Sequence, residues 1–200
     1  MLISIFTVIG QVATLLLAFF ALLALLSRIL DIKQAKAVTD NMPKLAPLPI
    51  PTTNQPSALH RLVAYVTEVR QWQVVENWEF EFEGKTFVIP AGFVFDGASI
   101  PRPLWGILSP TGILLIPGLI HDFGYRYDYV WTRSEDSDNG FAKTDRGAGR
   151  HHWDGIFFRV GTRINNLFYV NWLAAAALTL MGWLAWNNNR KRNEPEVYPY

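Results

Sequence analysis

The residues with the clearest chemical promise are a His-Asp pair set among apolar neighbours, Leu119-Ile120-His121-Asp122-Phe123-Gly124-Tyr125, and a later polar group, Arg150-His151-His152-Trp153-Asp154. Buried ionisable groups are costly, so an imidazole and carboxylates gathered beside aromatic side chains call for a chemical reason. A carboxylate that holds one imidazole nitrogen fixes the tautomer and stabilises the cation. The other nitrogen is then free to deprotonate water. On a helix opening near Pro117, His121 and Tyr125 fall one turn apart on one face, with Asp122 turned about 100° onto the neighbouring face. A second helix that brings Asp154 against His121 completes the dyad, and Tyr125 can bond to Asp154 and keep it in register. Asp122 can ligate a hard cation such as Ca2+ that polarises an ester carbonyl. The chemistry this describes is metal-assisted ester hydrolysis.

Two further groups support that site. Arg150 and Asp154 are spaced four apart, as in an ordinary helical ion pair. Between Pro90 and Pro101 the chain runs through small, turn-forming residues that include Asp96 and Ser99, a loop able to carry Asp96 to an ion and to offer backbone groups. Asp96, His121, Asp122, His151, His152 and Asp154 also contain the donors for a mixed nitrogen and oxygen site for zinc or manganese. No His-x-x-x-His spacing favours it, and adjacent His151 and His152 diverge on a helix.

The 200-residue chain carries net charge +1 and no cysteine, so a disulfide framework and a cysteine metal cluster are excluded. Charge this near zero does not predict a nucleic-acid partner. Leu2 to Leu26 is almost unbroken apolar sequence, long enough for the ~30 Å hydrocarbon core, and no basic residue precedes it. It reads as a retained anchor rather than a cleaved signal. Leu167 to Trp186 reads as a second span, with Tyr169, Trp172, Trp183 and Trp186 near its ends as an aromatic belt. Basic residues follow both runs, so orientation is divided, and Arg159 and Arg163 tip the balance toward a cytoplasmic central domain.

The expected organisation is an N-terminal transmembrane helix (1–30), a Pro-rich extended tether (31–57), an α+β domain (58–166), a C-terminal transmembrane helix (167–187) and a loose polar tail (188–200). Within the domain, Leu62 to Glu68 and Trp72 to Trp78 read as short strands. Glu79-Phe80-Glu81-Phe82-Glu83 alternates with period two before Gly84-Lys85 turns the chain into Thr86 to Ile89, a hairpin with its glutamates in solvent. The fold class is therefore α+β, a small antiparallel sheet packed on two core helices and flanked by membrane helices. The broken apolar segment Gly106 to Gly118 reads as packing beneath the His121 helix or as a lip at the lipid interface.

The ordered run Val88 to Trp105, then His121-Asp122 and Tyr125, then Arg150, Asp154 and Phe157, resembles the bacterial and tailed-phage family called domain of unknown function 1353, a likeness that carries no activity with it. The run His121-Asp122-Phe123-Gly124-Tyr125-Arg126 is also similar to the active-site helix of phospholipase A2, particularly the bacterial type. That likeness implies His121 as general base, Asp122 as calcium ligand, Asp154 as the partner of the His, Tyr125 as a supporting hydroxyl and phospholipid acyl esters as substrate. The chain departs from secreted phospholipases in lacking their flanking cysteines and a glycine-rich calcium loop. The expected setting is a bacterial inner membrane or the membrane of a virion. A second expectation, from a different class, is a phage or envelope assembly protein in which His121, Asp122, Arg150 and Asp154 form a structural network.

Overall fold

In a computed structural model, the described residues are 2–29, 42–49, 52–67, 71–96, 112–192 and 194–200. The chain divides into two units, residues 1–40 and 41–200. The first contains helix α1 (Leu2–Ile29), built from Leu, Ala and Phe, with the Thr14 hydroxyl bonded back to the Gly10 carbonyl at 2.9 Å. Its side chains described between Leu15 and Leu26 are exposed. Among the described residues no single helix is long and apolar enough to cross a membrane.

The second unit is α+β, with two antiparallel sheets. Strands β1 (Leu45–Pro47), β2 (Trp72–Val74) and β5 (Val94–Phe95) form the smaller one, in the order β1-β2-β5. The larger contains β3 (Trp78–Phe82), β4 (Lys85–Ile89), β6 (Val130–Arg133) and β7 (Phe141–Thr144), in that order. The β3–β4 hairpin pairs Trp78 with Ile89 and Phe80 with Phe87. Its two-residue turn is Glu83-Gly84, both at positive φ, which matches the right-handed twist of the strands better than the expected Gly84-Lys85. The glutamates lie at the surface, as the alternation implied: Glu79 accepts from Arg133 Nε at 2.8 Å and Glu83 from Arg159 Nε at 2.8 Å.

The tether is not wholly extended spacer. Its Leu45–Pro47 piece is the outer strand of the smaller sheet, where proline is tolerated because its missing N–H faces away from the ladder. The segment read as a strand from Leu62 is helix α2 (Ala58–Thr67). Its start is set by Ser57, whose hydroxyl accepts the His60 N–H at 3.3 Å as an N-cap, while Leu59, Leu62 and Val63 share a face that stays exposed. Glu68 and the segment 97–111 fall outside the described residues.

The core lies between the larger sheet and two helices, α3 (Leu115–Tyr127) and α4 (Arg150–Asn165). On α3, Leu119, Ile120 and Phe123 are fully buried, and on α4 so is Trp153. A Cβ added at Gly124 would lie 2.2 Å from the Trp153 ring. Glycine at 124 therefore sets how closely α3 and α4 approach.

The apolar run read as one span is instead two helices, α5 (Phe168–Met181) and α6 (Trp183–Arg192), bent by 59° at Gly182. One side of α5 packs on the domain, where Asn171 and Ala174 are buried. The tail, expected to be loose, is also docked: Trp131 Nε1 donates to the Val197 carbonyl at 3.0 Å, Asn77 Nδ2 to that of Tyr200 at 2.6 Å, and Lys143 pairs with Glu196 at 2.6 Å.

Gly124→Ala is expected to destabilise the domain by about 1–3 kcal/mol, because a methyl driven into a fully buried indole forces the helices apart. A urea unfolding midpoint equal to that of the wild type would contradict this account of the α3–α4 contact.

Candidate functional site

The site lies where α3, α4 and the end of α5 meet. Asp128 ends α3 in the left-handed conformation. Its Oδ1 accepts from the Gly149 N–H and from Trp153 Nε1, each at 3.0 Å. Gly149 has no side chain with which to cap α4, so a carboxylate from the preceding helix does so, at the end where negative charge is favourable. The same oxygen fixes the register of α4 along α3 and so brings Asp154 level with His121.

Asp154 is 4% exposed and answers several donors. Its Oδ1 lies 3.1 Å from His121 Nε2 and accepts the Tyr125 hydroxyl at 2.5 Å, and its Oδ2 accepts the Thr179 hydroxyl at 3.3 Å. Burial pushes the Asp154 pKa up, but its bonds to His121 and Tyr125, the His121 charge and Arg150 outweigh this and hold it below the usual carboxylate range. An ionised carboxylate only accepts, so His121 carries its hydrogen on Nε2. In the neutral tautomer the lone pair is then on Nδ1.

Nδ1 faces Asp122, whose Oδ1 is 3.7 Å away, beyond a direct hydrogen bond. The helix geometry had placed Asp122 on a neighbouring face, yet its carboxyl turns back toward the imidazole. Its Oδ2 is buried with no hydrogen-bond partner. Burial is the main cause that raises the Asp122 carboxyl to about 7, with the Asp96 charge adding to it and His121 and Arg126 opposing it. For His121, burial lowers the pKa, but its contacts with Asp122 and Asp154 more than offset that and leave it raised. Tyr125 is held protonated by burial and by its bond to Asp154.

The structure thus brings His121, Asp154 and Tyr125 together, with Asp122 beside them and Asp96 near enough for its charge to act on Asp122. Arg150 stands farther off than a close ion pair, 3.8 Å from Asp154 Oδ2, and donates to the Thr179 carbonyl at 2.6 Å. His151 approaches Asp154 only to 3.9 Å, whereas His152 turns toward Asp145. Ser99 lies outside the described residues. Among the described residues no group of three His, Asp or Glu side chains is placed to hold a metal ion. Asp122, with its unpartnered oxygen, and Asp96 are two carboxylates, whereas calcium takes about 6–8 oxygens. They do not make a calcium site by themselves.

Sequence reasoning missed three contributors. Thr179 was hidden inside a run read as a membrane span, and Asp128 was one more acid near a turn. Trp186, whose place at the end of an apolar run suits an interfacial anchor, packs edge-on to Tyr125 at 5.3 Å. The signal for Asp128 was local: an aspartate just past the last helical residue, where the left-handed conformation is common.

The pKa directions set a pH dependence. A carboxyl whose folded pKa stands at about 7, against an ordinary value of 3.8, binds its proton more tightly in the folded state. Stability therefore falls as pH rises from about 4 to about 7, and the raised His121 pulls the same way as pH passes through its folded value. Asp122→Asn removes the first contribution. It is expected to be more stable than the wild type at pH 8, by on the order of 2 kcal/mol, with the advantage fading toward pH 4. Urea unfolding at both pH values checks this; a variant less stable than wild type at pH 8 would contradict it.

Comparison with curated proteins and with solved structures gave no match. The family described as "Protein of unknown function (DUF1353)" matches residues 72–177, more than half of the chain. That stretch runs from β2 into α5 and includes His121, Asp122, Tyr125, Arg150 and Asp154. The chain therefore belongs to the DUF1353 family.

Proposed function

We propose that this chain is a membrane-associated hydrolase of phospholipid acyl esters, with His121 as general base and Asp154 and Tyr125 holding it. The observation that carries this reading is the Asp154 carboxylate, which takes His121 Nε2 and the Tyr125 hydroxyl on one oxygen and so leaves Nδ1 as the basic nitrogen. The run His121-Asp122-Phe123-Gly124-Tyr125-Arg126 resembles the active-site helix of phospholipase A2, and that resemblance implies Asp154, from a later helix, as the partner of the His.

The step follows from the tautomer. Nδ1 accepts a proton from water as the water oxygen bonds to the acyl carbonyl carbon. Asp154, ionised and unable to leave, stabilises the imidazolium by its charge. Collapse of the tetrahedral adduct breaks the ester C–O bond, and Nδ1–H returns the proton to the departing alcohol. Asp122, raised to about 7 and with Oδ1 3.7 Å from Nδ1, tunes the charge around that nitrogen. The membrane association rests on the apolar α1, read as an anchor, and on the apolar residues of α5 and α6.

One observation favours a second reading. His121 and Asp154 are each 4% exposed and cross-link three helices, as a structural network in an assembly protein would.

The test is purified full-length chain on vesicles of phosphatidylcholine and phosphatidylglycerol, in calcium and in chelator. Fatty acid release by the wild type is expected, lower by about 10²–10⁴-fold in His121→Ala. Far-ultraviolet circular dichroism confirms that the variant is folded. No release by folded wild-type chain in either arm supports the network reading instead.

A further inference from the structure

We infer that the outer face of the bent α5–α6 pair is a docking surface for an anionic lipid bilayer, lying along the membrane interface instead of crossing it.

The inner side of the pair is already committed to the domain. Asn171 is fully buried and donates to Asn165 Oδ1 at 2.7 Å and to the Leu167 carbonyl at 2.9 Å. A Cβ at Gly161 of α4 would lie 2.5 Å from Asn171 Oδ1, so α4 and α5 are in close contact. Ala174 packs with Leu114 and Phe157, and Leu178 joins them. Farther on, Trp186 packs on Tyr125, and Arg190 Nη2 donates to the Tyr125 carbonyl at 2.5 Å. The pair is thus fastened along its length to α3 and α4.

The pair together has the length and composition of a broken span, but α5 alone is too short to cross. Helix α5 has 14 residues, about 21 Å of rise against a hydrocarbon core of ~30 Å. The chain then bends by 59°, and α6 ends in Asn187-Asn188-Asn189-Arg190-Lys191-Arg192, a sequence costly to place in hydrocarbon.

The outer side has the composition of an interfacial helix. Tyr169, Trp172, Leu173, Leu180, Met181 and Trp183 are all more than half exposed, with Tyr169 at 83% and Leu180 at 76%. An apolar face of this extent marks a binding surface. The occupant is indicated by what frames it. Aromatic rings stand at both ends of α5, as in the belts at lipid headgroups, and exposed Lys191 and Arg192 continue beyond the apolar face, complementary to anionic headgroups. The surface also adjoins the site: Thr179, whose hydroxyl reaches Asp154, immediately precedes exposed Leu180. Docking does not depend on catalysis, but its value in delivering an acyl ester to His121 rests on the hydrolase reading.

The absence of cysteine makes the test direct. Single cysteines at Tyr169, Leu173, Leu180 and Leu184 of the full chain, each in a His121→Ala background, take a nitroxide label. Depth is read by collision with oxygen and with a water-soluble nickel chelate, on vesicles of equimolar phosphatidylcholine and phosphatidylglycerol. All four labels are expected at one shallow depth, about 5–10 Å into the headgroup and acyl boundary. Labels that descend to the midplane and rise again along the series overturn the inference in favour of a span, and labels left open to the chelate overturn it in favour of a protein partner. Shallow labels with no acyl release by the wild-type chain uphold the docking surface and overturn the hydrolase. Water-exposed labels with acyl release do the reverse.

Discussion

A buried carboxylate that is to stay ionised has to be answered on both oxygens, and much of this domain is arranged around doing so for Asp154. Three helices contribute: α3 supplies His121 and Tyr125, α4 carries the carboxylate, and α5 brings Thr179. Breaking such a set from one side leaves charge unpaired in a low dielectric, which is far more costly than the net stabilisation of the intact bonds. The helices are therefore not free to slide. Gly124 admits the Trp153 ring, and Asp128 ties that ring and the start of α4 to the end of α3, so contacts other than those of Asp154 also fix the separation and register of the helices.

The central chemistry was legible because it is local. His121 and Tyr125 share a face through the period of the helix alone, and the polar cluster at Asp154 stood out against apolar neighbours. The hairpin could be read from alternation for the same reason, and the structure moves its turn by a single residue. Asp122 shows the limit of such reasoning. Helical geometry gives the direction of the Cα–Cβ bond, but the carboxyl is two bonds further out, and its rotation brings an oxygen to 3.7 Å from the imidazole.

What escaped the sequence was decided by partners far along the chain. Composition marks residues 188–200 as loose, yet residues 188–192 continue α6 and residues 194–200 lie against sheet and loop residues that precede them by many positions. Hydropathy treats 167–186 as one object because it averages, so a bend at a single small residue and the burial of Asn171 do not register. The prolines before residue 57 forbid a helix or an inner strand, and they left an edge strand open, a choice settled only by β2. In each case a short segment with weak preference of its own takes its conformation from a distant surface.

Gly182 links two parts of the molecule that look unrelated in the sequence. Its backbone is ordinary helix, so conformational freedom is not what glycine provides there; a Cβ would lie 2.5 Å from both the Leu178 carbonyl and the Tyr125 hydroxyl. The elbow of α5–α6 and the donor that holds Asp154 thus occupy adjoining space. Substitutions at 125, 154, 179 and 182 cannot be independent in their effects, since each changes the room or the bonding available to the others. A larger side chain at the elbow and the phenol at 125 compete for the same space.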